Sequence, residues 1–350
     1  MKKTISNQDV MDSQKPMLSR RKTLKNLVSI PVLGLCGSFR SQKAYGSDAL
    51  RINQSELSEI KGNLPKGKIG NLEITRLIMG GNQITGSAHA RDLKYVSKLF
   101  KAYNSDRKVF ETLQLAEKAG INTISIGFTG LSLVAEYKKQ TQSKIQVFGQ
   151  VGVPNDSDNI YGLIEQAIDY GVDALQVVGY YSDWCVRDKR LDVIDKMLNK
   201  IRSEGYIAGL GAHTIDTLIT CEENGIIPDY YMTTMHHDNY WSAHPLENRK
   251  PFEVDGKRYL DHNLFHDNCF CLFPDRTIEF VNRIKTPVVG YKVLAAGAID
   301  PPDGFNWAFE NGADFICVGM FDFQVVEDVN ICLDTLANLK NRKREWITHN

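Results

Sequence analysis

A lysine near the end of an apolar run is the first residue that asks for a chemical reason. In "PVVGYKVLAAGAI", Pro287 to Ile299, Lys292 is the one charged side chain. Burying its ammonium without a partner would cost on the order of several kcal/mol. Three roles would justify it. Apolar neighbours such as Val289, Val293 and Leu294 can depress its pKa and make it a Schiff-base nucleophile. It can serve as a fixed cation for a substrate carboxylate or enolate. It can also form a structural ion pair with Asp322 or another acid nearby.

Two further runs end in histidine: "IAGLGAH" in His213, and "DYYMTTMHH" in His236 and His237. Neighbours on an extended segment point to opposite faces, so one of His236 and His237 should share a space with His213. Such a set suits two chemistries: a metal held by His213 and His236 or His237 plus a carboxylate, or general acid–base work on substrate hydroxyls. Corresponding run ends supply Asn82, Gln83, Gln150, Tyr180, Tyr181, Asp183 and Asp322 as candidates for holding a substrate. Downstream, "HNLFHDNCFC" offers His262, His266, Cys269 and Cys271. These are zinc-type ligands, although buried cysteines also serve as plain apolar packing.

These residues need a scaffold that brings run ends together. From about Leu64, short β-rich runs alternate with helical stretches whose apolar residues recur every three or four positions. The strand candidates are 74–81, 122–127, 144–152, 173–179, 207–213, 229–237, 287–297 and 314–320. Several helical stretches close on Gly, the usual C-cap. Eight βα units predict an α/β protein, a (β/α)8 TIM barrel whose chemistry sits at the C-terminal strand ends. An open doubly wound sheet would want a G-x-G-x-x-G turn after its first strand, which "GGNQITG" lacks. "LPKGKIGNLEI" predicts a hairpin plugging the lower end, and 238–275 predicts a long active-site loop after strand 6.

Three stretches carry a family resemblance. "KGKIGNLEITRLIMGGNQITG", "VFETLQLAEKAGINTISIG" and the pair "VVGYKVLAAGAI" with "ICVGMFDFQVVEDV" resemble the aldo/keto reductase superfamily. The resemblance implies that family's barrel and an enzyme. It also implies a catalytic Asp, Tyr, Lys and His where this chain has Ser125, Gly130, Gln150 and Val178. The usual tetrad is therefore not retained. The expectation is an enzyme of that fold, lyase, isomerase or oxidoreductase in type, acting on a small carbonyl or sugar-derived substrate. Lys292, His213, His236 and His237 would be catalytic, and the cofactor is left open, with a divalent metal or NADP as the candidates. An NADP-dependent oxidoreductase with replaced residues and a non-catalytic exported sugar-binding barrel are the alternatives.

The first 46 residues differ from the rest. "SRRKTLKNLVSIPVLGLCGSF" places Arg20-Arg21 before a short apolar run and "AYGS", which resembles a twin-arginine (Tat) export signal. Residues 1–46 would be that signal, 47–63 a linker and 64–345 the barrel domain. The expected location is periplasmic or otherwise exported, with the Tat machinery as a partner and no membrane span left after cleavage. The full chain balances 42 basic against 42 acidic residues, but without residues 1–46 it holds 33 and 40. An acidic body excludes the basic face that nucleic acid requires.

Overall fold

The β-rich runs become parallel strands, and the last of them pairs with the first. In the computed structural model, residues 50, 54–89, 93, 95–153, 159–252 and 270–348 are described. An antiparallel hairpin opens the domain, β1 (Lys66–Ile69) and β2 (Leu72–Thr75). Then come β3 (Leu77–Gly80), β4 (Thr123–Gly127), β5 (Gln146–Val151) and β6 (Ala174–Val177). They are followed by β7 (Ile207–Ala212), β8 (Tyr230–Thr234), β9 (Val288–Tyr291) and β10 (Phe315–Gly319). The eight strands β3 to β10 form a closed barrel, β10 lying between β9 and β3. The expected eight-unit α/β barrel, with its hairpin and the long connection after the sixth barrel strand, is what the chain builds.

Two apolar layers hold it. The larger packs the outer strand faces, such as Leu77, Ile124, Val147, Leu175 and Leu210, against the surrounding helices. The smaller fills the barrel itself with Ile78, Phe148, Tyr230, Met232, Val289 and Phe315, and Ile69 and Ile74 of the hairpin join it from below. The hairpin is thus a plug, since two fully buried isoleucines reach the interior. Interior space depends on glycine at one strand. A Cβ on Gly209 would stand 2.3 Å from the Tyr230 ring, and one on Gly211 2.6 Å from the Gln176 amide nitrogen. Without those two positions the interior could not accept a tyrosine and a glutamine side by side.

The strand expected over 287–297 stops at Tyr291. Lys292 leaves it with φ 56°, in the left-handed region, and Ala295–Gly297 follow as a 3-10 turn. Extended pairing cannot continue through a left-handed residue. The C-terminal segment forms a clasp under the barrel. The Trp346 ring lies between the guanidinium carbons of Arg76, at 4.0 Å, and Arg342, at 3.7 Å. Fully buried Asp314 pairs with Arg342 and Arg344. Burial pulls Arg76 and Arg342 down to about 10, and the Asp314 charge partly restores each. The expected export signal, residues 1–46, lies outside the described residues.

Candidate active site

Alternation along each strand decides which side chains meet inside the barrel. At the upper end β4 contributes Ser125, β5 Gln150, β6 Gln176, β9 Tyr291 and β10 Cys317. Gln150 donates from Nε2 to the Ser125 hydroxyl at 3.0 Å, and Gln176 approaches the Met232 sulfur at 3.5 Å. Tyr291 donates its hydroxyl to the Ala212 carbonyl at 3.1 Å. The floor of the mouth is therefore polar and aromatic, and the buried Gln176 Oε1 within it has no hydrogen-bond partner.

His213 is the residue immediately after β7, and it is held by Asp183 from the helix Gly179–Arg187. The Asp183 carboxylate accepts from the His213 backbone N–H and from the ring Nδ1, both at 3.0 Å. Its other oxygen accepts from the Thr217 hydroxyl at 2.7 Å and the Thr214 amide at 3.4 Å. The arrangement puts the ring proton on Nδ1. Gly179 allows the approach, because a Cβ there would meet the His213 ring at 3.1 Å. The ring centres of His213 and Tyr291 are 5.7 Å apart.

Lys292 stands beside the same tyrosine. Its Nζ is 5.6 Å from the centre of the Tyr291 ring and 4.2 Å from that of Phe270. Phe270 enters from the far end of the long connection after β8, and His236 anchors it. His236 is fully buried. Its Nδ1–H donates to the His237 carbonyl at 2.6 Å, and its Nε2 accepts from the amides of Phe270 and Cys271 at 3.2 and 2.9 Å. Burial drives its pKa down to about 4, against the weaker pull of the carbonyl bond. Such a ring stays neutral near pH 7, and both its nitrogens serve the loop.

The remaining candidates divide between mouth and periphery. His237 points away from His236 as alternation requires, and donates from Nε2 to Asp303 at 3.1 Å beside Trp307. Asn82 lies at the rim with its amide 2.6 Å from His89 Nε2. Gln83 packs over Gly319 with a buried Oε1 that has no hydrogen-bond partner. Tyr180 is half exposed and set edge-on to Trp184, with Tyr181 next to it. Asp322 lies outside the mouth, where it accepts from Tyr103 and Lys108. Burial pushes its carboxyl up, but those two hydrogen bonds more than offset this and hold it below its ordinary range. The pairing of Lys292 with Asp322 is thereby replaced by a Lys108 pair at 2.9 Å.

The metal expectation is corrected by this geometry. Among the described residues no group of three His, Cys, Asp or Glu side chains is placed to hold an ion. His236 spends both ring nitrogens and His237 faces Asp303, so neither joins His213 as a ligand. His262, His266 and Cys269 lie outside the described residues, while Cys271 is buried with its sulfur 3.5 Å from the Thr277 hydroxyl. One residue of the mouth escaped notice in the sequence: His89, in the loop "GSAHA", which follows the short helix after β3 and does not sit at a strand end.

No family model matches the chain, and no curated protein does. Among solved structures it is similar to a mandelate oxidase mutant with a C4a-OH-FMN adduct, at 11% identity over 83% of this chain and 82% of that one, TM-score 0.49. A lactate oxidase of Pediococcus acidilactici matches at 12% identity over 80% and 74%, TM-score 0.46. Mandelate oxidase with (S)-2-phenylpropionate matches at 11% over 83% and 80%, TM-score 0.47. Likeness this distant says nothing of chemistry, and the barrel stands on its own strand pairings.

The function expected from the sequence is corrected here. These structures are described as oxidases, and it is the chain's own residues that confine the aldo/keto reductase resemblance to the barrel. The tetrad positions agree. Ser125 and Gln150 bond to each other, Gly130 is packed against Ile126 and Thr85, and Val178 opens a helix. They offer neither the acid nor the cation of a ketone reduction. A carbonyl- or sugar-directed enzyme of that family, its NADP variant and the sugar-binding barrel are all withdrawn.

Proposed function

We propose that the chain is an enzyme in which His213 takes a proton from a small organic acid, while the Lys292 ammonium offsets the negative charge that develops. One observation carries this reading: Asp183 binds His213 through both its backbone N–H and its ring. A histidine kept only for packing has no need of a buried carboxylate that fixes its tautomer, whereas a general base does. The backbone at Lys292 adds support. A non-glycine residue held in the left-handed region costs about 1–3 kcal/mol, and such strain collects where a side chain must be aimed. Tyr291 adjoins both groups, its ring centre 5.7 Å from that of His213 and 5.6 Å from the Lys292 Nζ.

The oxidases similar in fold raise the question of a flavin, two of them being described with FMN adducts. Barrels of this class take phosphates at the loops after their last two strands. Here the helix Asp322–Asn338 begins with its own anion: the Asp322 carboxylate is bound to Phe323, Tyr103 and Lys108. The Phe321 amide donates to the Gln324 side chain at 3.0 Å. A carboxylate in the first turn repels a phosphate. These residues do not fit the group at that position, and no step is derived through it.

We also propose export, supported by Arg20-Arg21 and the apolar run that follows. Fusing residues 1–46 to a reporter that requires twin-arginine transport tests it, with Arg20→Lys/Arg21→Lys expected to abolish the signal.

The catalytic reading is tested by proton exchange. Incubated in deuterated water with lactate and mandelate, the full chain should place deuterium at Cα, followed by NMR. His213→Gln and Asp183→Asn should each slow that exchange by about 10²–10⁴-fold. Exchange undiminished in both variants would remove His213 as the base.

A further inference from the structure

We infer that the exposed side of the helix Tyr95–Tyr103 is a docking face for an anionic lipid surface, on which the folded chain rests beside its barrel mouth. The inference is independent of the proton-transfer reading. No described helix is long and apolar enough to cross a membrane, so the contact is one of lying on a surface and not of spanning it.

A surface helix ordinarily turns its apolar stripe to the core. This one carries a second stripe. Val96 and Phe100 face inward and are half-buried, with the Phe100 ring edge-on to Phe321 at 5.2 Å. Polar bonds fix that inner side: the Ser97 hydroxyl donates to the Gly86 carbonyl at 2.5 Å, and the Asn104 amide to the Gln83 carbonyl at 2.8 Å. Those partners belong to the segment leaving β3, so the helix is held at the mouth end of the barrel. Tyr95, Leu99 and Tyr103 recur every four residues and therefore stand in one row. None of the nine residues is fully buried. Tyr95 and Leu99 are 62% and 59% exposed. Phe323, also 62% exposed, continues the row, its ring centre 6.3 Å from that of Tyr103. An apolar row left in water on a fixed helix marks a contact surface.

Charge decides the partner. Residues 95–105 hold Lys98 and Lys101 and no Asp or Glu, in a body that otherwise carries more acidic than basic residues. Both lysines are exposed, and helical spacing sets them on the flank of the row away from Phe100. Lysine stems lie along apolar surface while their ammonium groups reach outward, which suits lipid phosphates. Tyrosine rings settle at the same headgroup depth. A second copy of the chain fits less well, because two-fold symmetry would set this helix against itself and bring lysine to lysine. The carboxylate at the edge of the row, Asp322, is no counter-charge for them, since it already accepts from Tyr103 and Lys108.

A tryptophan placed in the row reports the contact locally. In the full chain, Leu99→Trp is compared with Leu246→Trp, an exposed position in the connection after β8. Each is mixed with vesicles of equal parts phosphatidylglycerol and phosphatidylcholine whose acyl chains are brominated, and the wild-type emission is subtracted. The added emission of Leu99→Trp should shift to the blue and be quenched, that of Leu246→Trp should not, and raising the salt should weaken the effect. Adding Lys98→Gln/Lys101→Gln to Leu99→Trp should raise the lipid concentration for half-quenching by about 30-fold. Adding Tyr95→Ser/Phe323→Ser should raise it by about 10-fold or more. Absence of quenching at position 99, or equal quenching at both positions, overturns the inference. So does quenching that is unchanged when phosphatidylglycerol is left out. A blue shift at position 99 that grows with protein concentration and needs no lipid assigns the face to a second copy and overturns it as well.

Discussion

Asp328, in the last helix, offers a measurement of how the barrel's outer layer treats a carboxyl. The residue is 2% exposed and its Oδ2 has no hydrogen-bond partner. Burial, assisted by the neighbouring Glu327 charge, raises its pKa from 3.8 to about 7. Unfolded, the group ionises near its ordinary value. Between pH 4 and pH 7 the folded chain therefore holds a proton that the unfolded chain has released. Stability falls across that window as pH rises, at about 1.4 kcal/mol per unit, and the slope flattens above the folded pKa. Asp328→Asn keeps the shape and removes the titration. Its stability relative to wild type should grow by about 2–3 kcal/mol between pH 5 and pH 8. Urea unfolding of both proteins at half-unit intervals gives the difference curve and cancels every other titrating group. A flat difference curve would refute the reasoning, for it would mean that the folded carboxyl ionises as freely as the unfolded one.

Three further outcomes are expected. His236 is neutral when folded and its pKa is lowered to about 4, so its contribution is complete above pH 6.5 and is lost as pH falls towards 4. Hydrogen exchange at the Phe270 and Cys271 amides should accelerate over that interval before the barrel strands respond. Lys292→Gly relieves a left-handed backbone and should unfold later than Lys292→Ala by about 1 kcal/mol in urea, while both lose proton exchange. Trp346→Ala removes the ring between Arg76 and Arg342 and should cost about 3–5 kcal/mol, read by thermal unfolding.

Much of the scaffold could be read from the chain in order. Period-two and period-four patterning are local properties, and a glycine at a helix end signals its own conformation. For that reason the eight strands, the hairpin and the long connection after β8 were legible before any coordinates. Strand ends were equally legible, and they gave His213, Lys292, Asn82 and Gln150 as residues of one rim. The extent of the seventh barrel strand was misread, because "PVVGYKVLAAG" is apolar throughout and a single left-handed residue leaves no mark on hydropathy.

What the sequence by itself determined is which side chains stand at the top of which strand. Only the tertiary structure decided what each touches, because contact depends on closure of the barrel and on loops whose ends lie far apart in the chain. His236 looked as able a ligand or base as His213. The fold gave one a carboxylate and the other two loop amides. Asp183 lies 30 residues before His213, and His89 more than 180 before Phe270, so no spacing rule joins them. The Trp346 clasp likewise links the two ends of the barrel domain. Polar side chains acquire their roles from the partner that satisfies them, and burial selects that partner only once the chain has closed on itself.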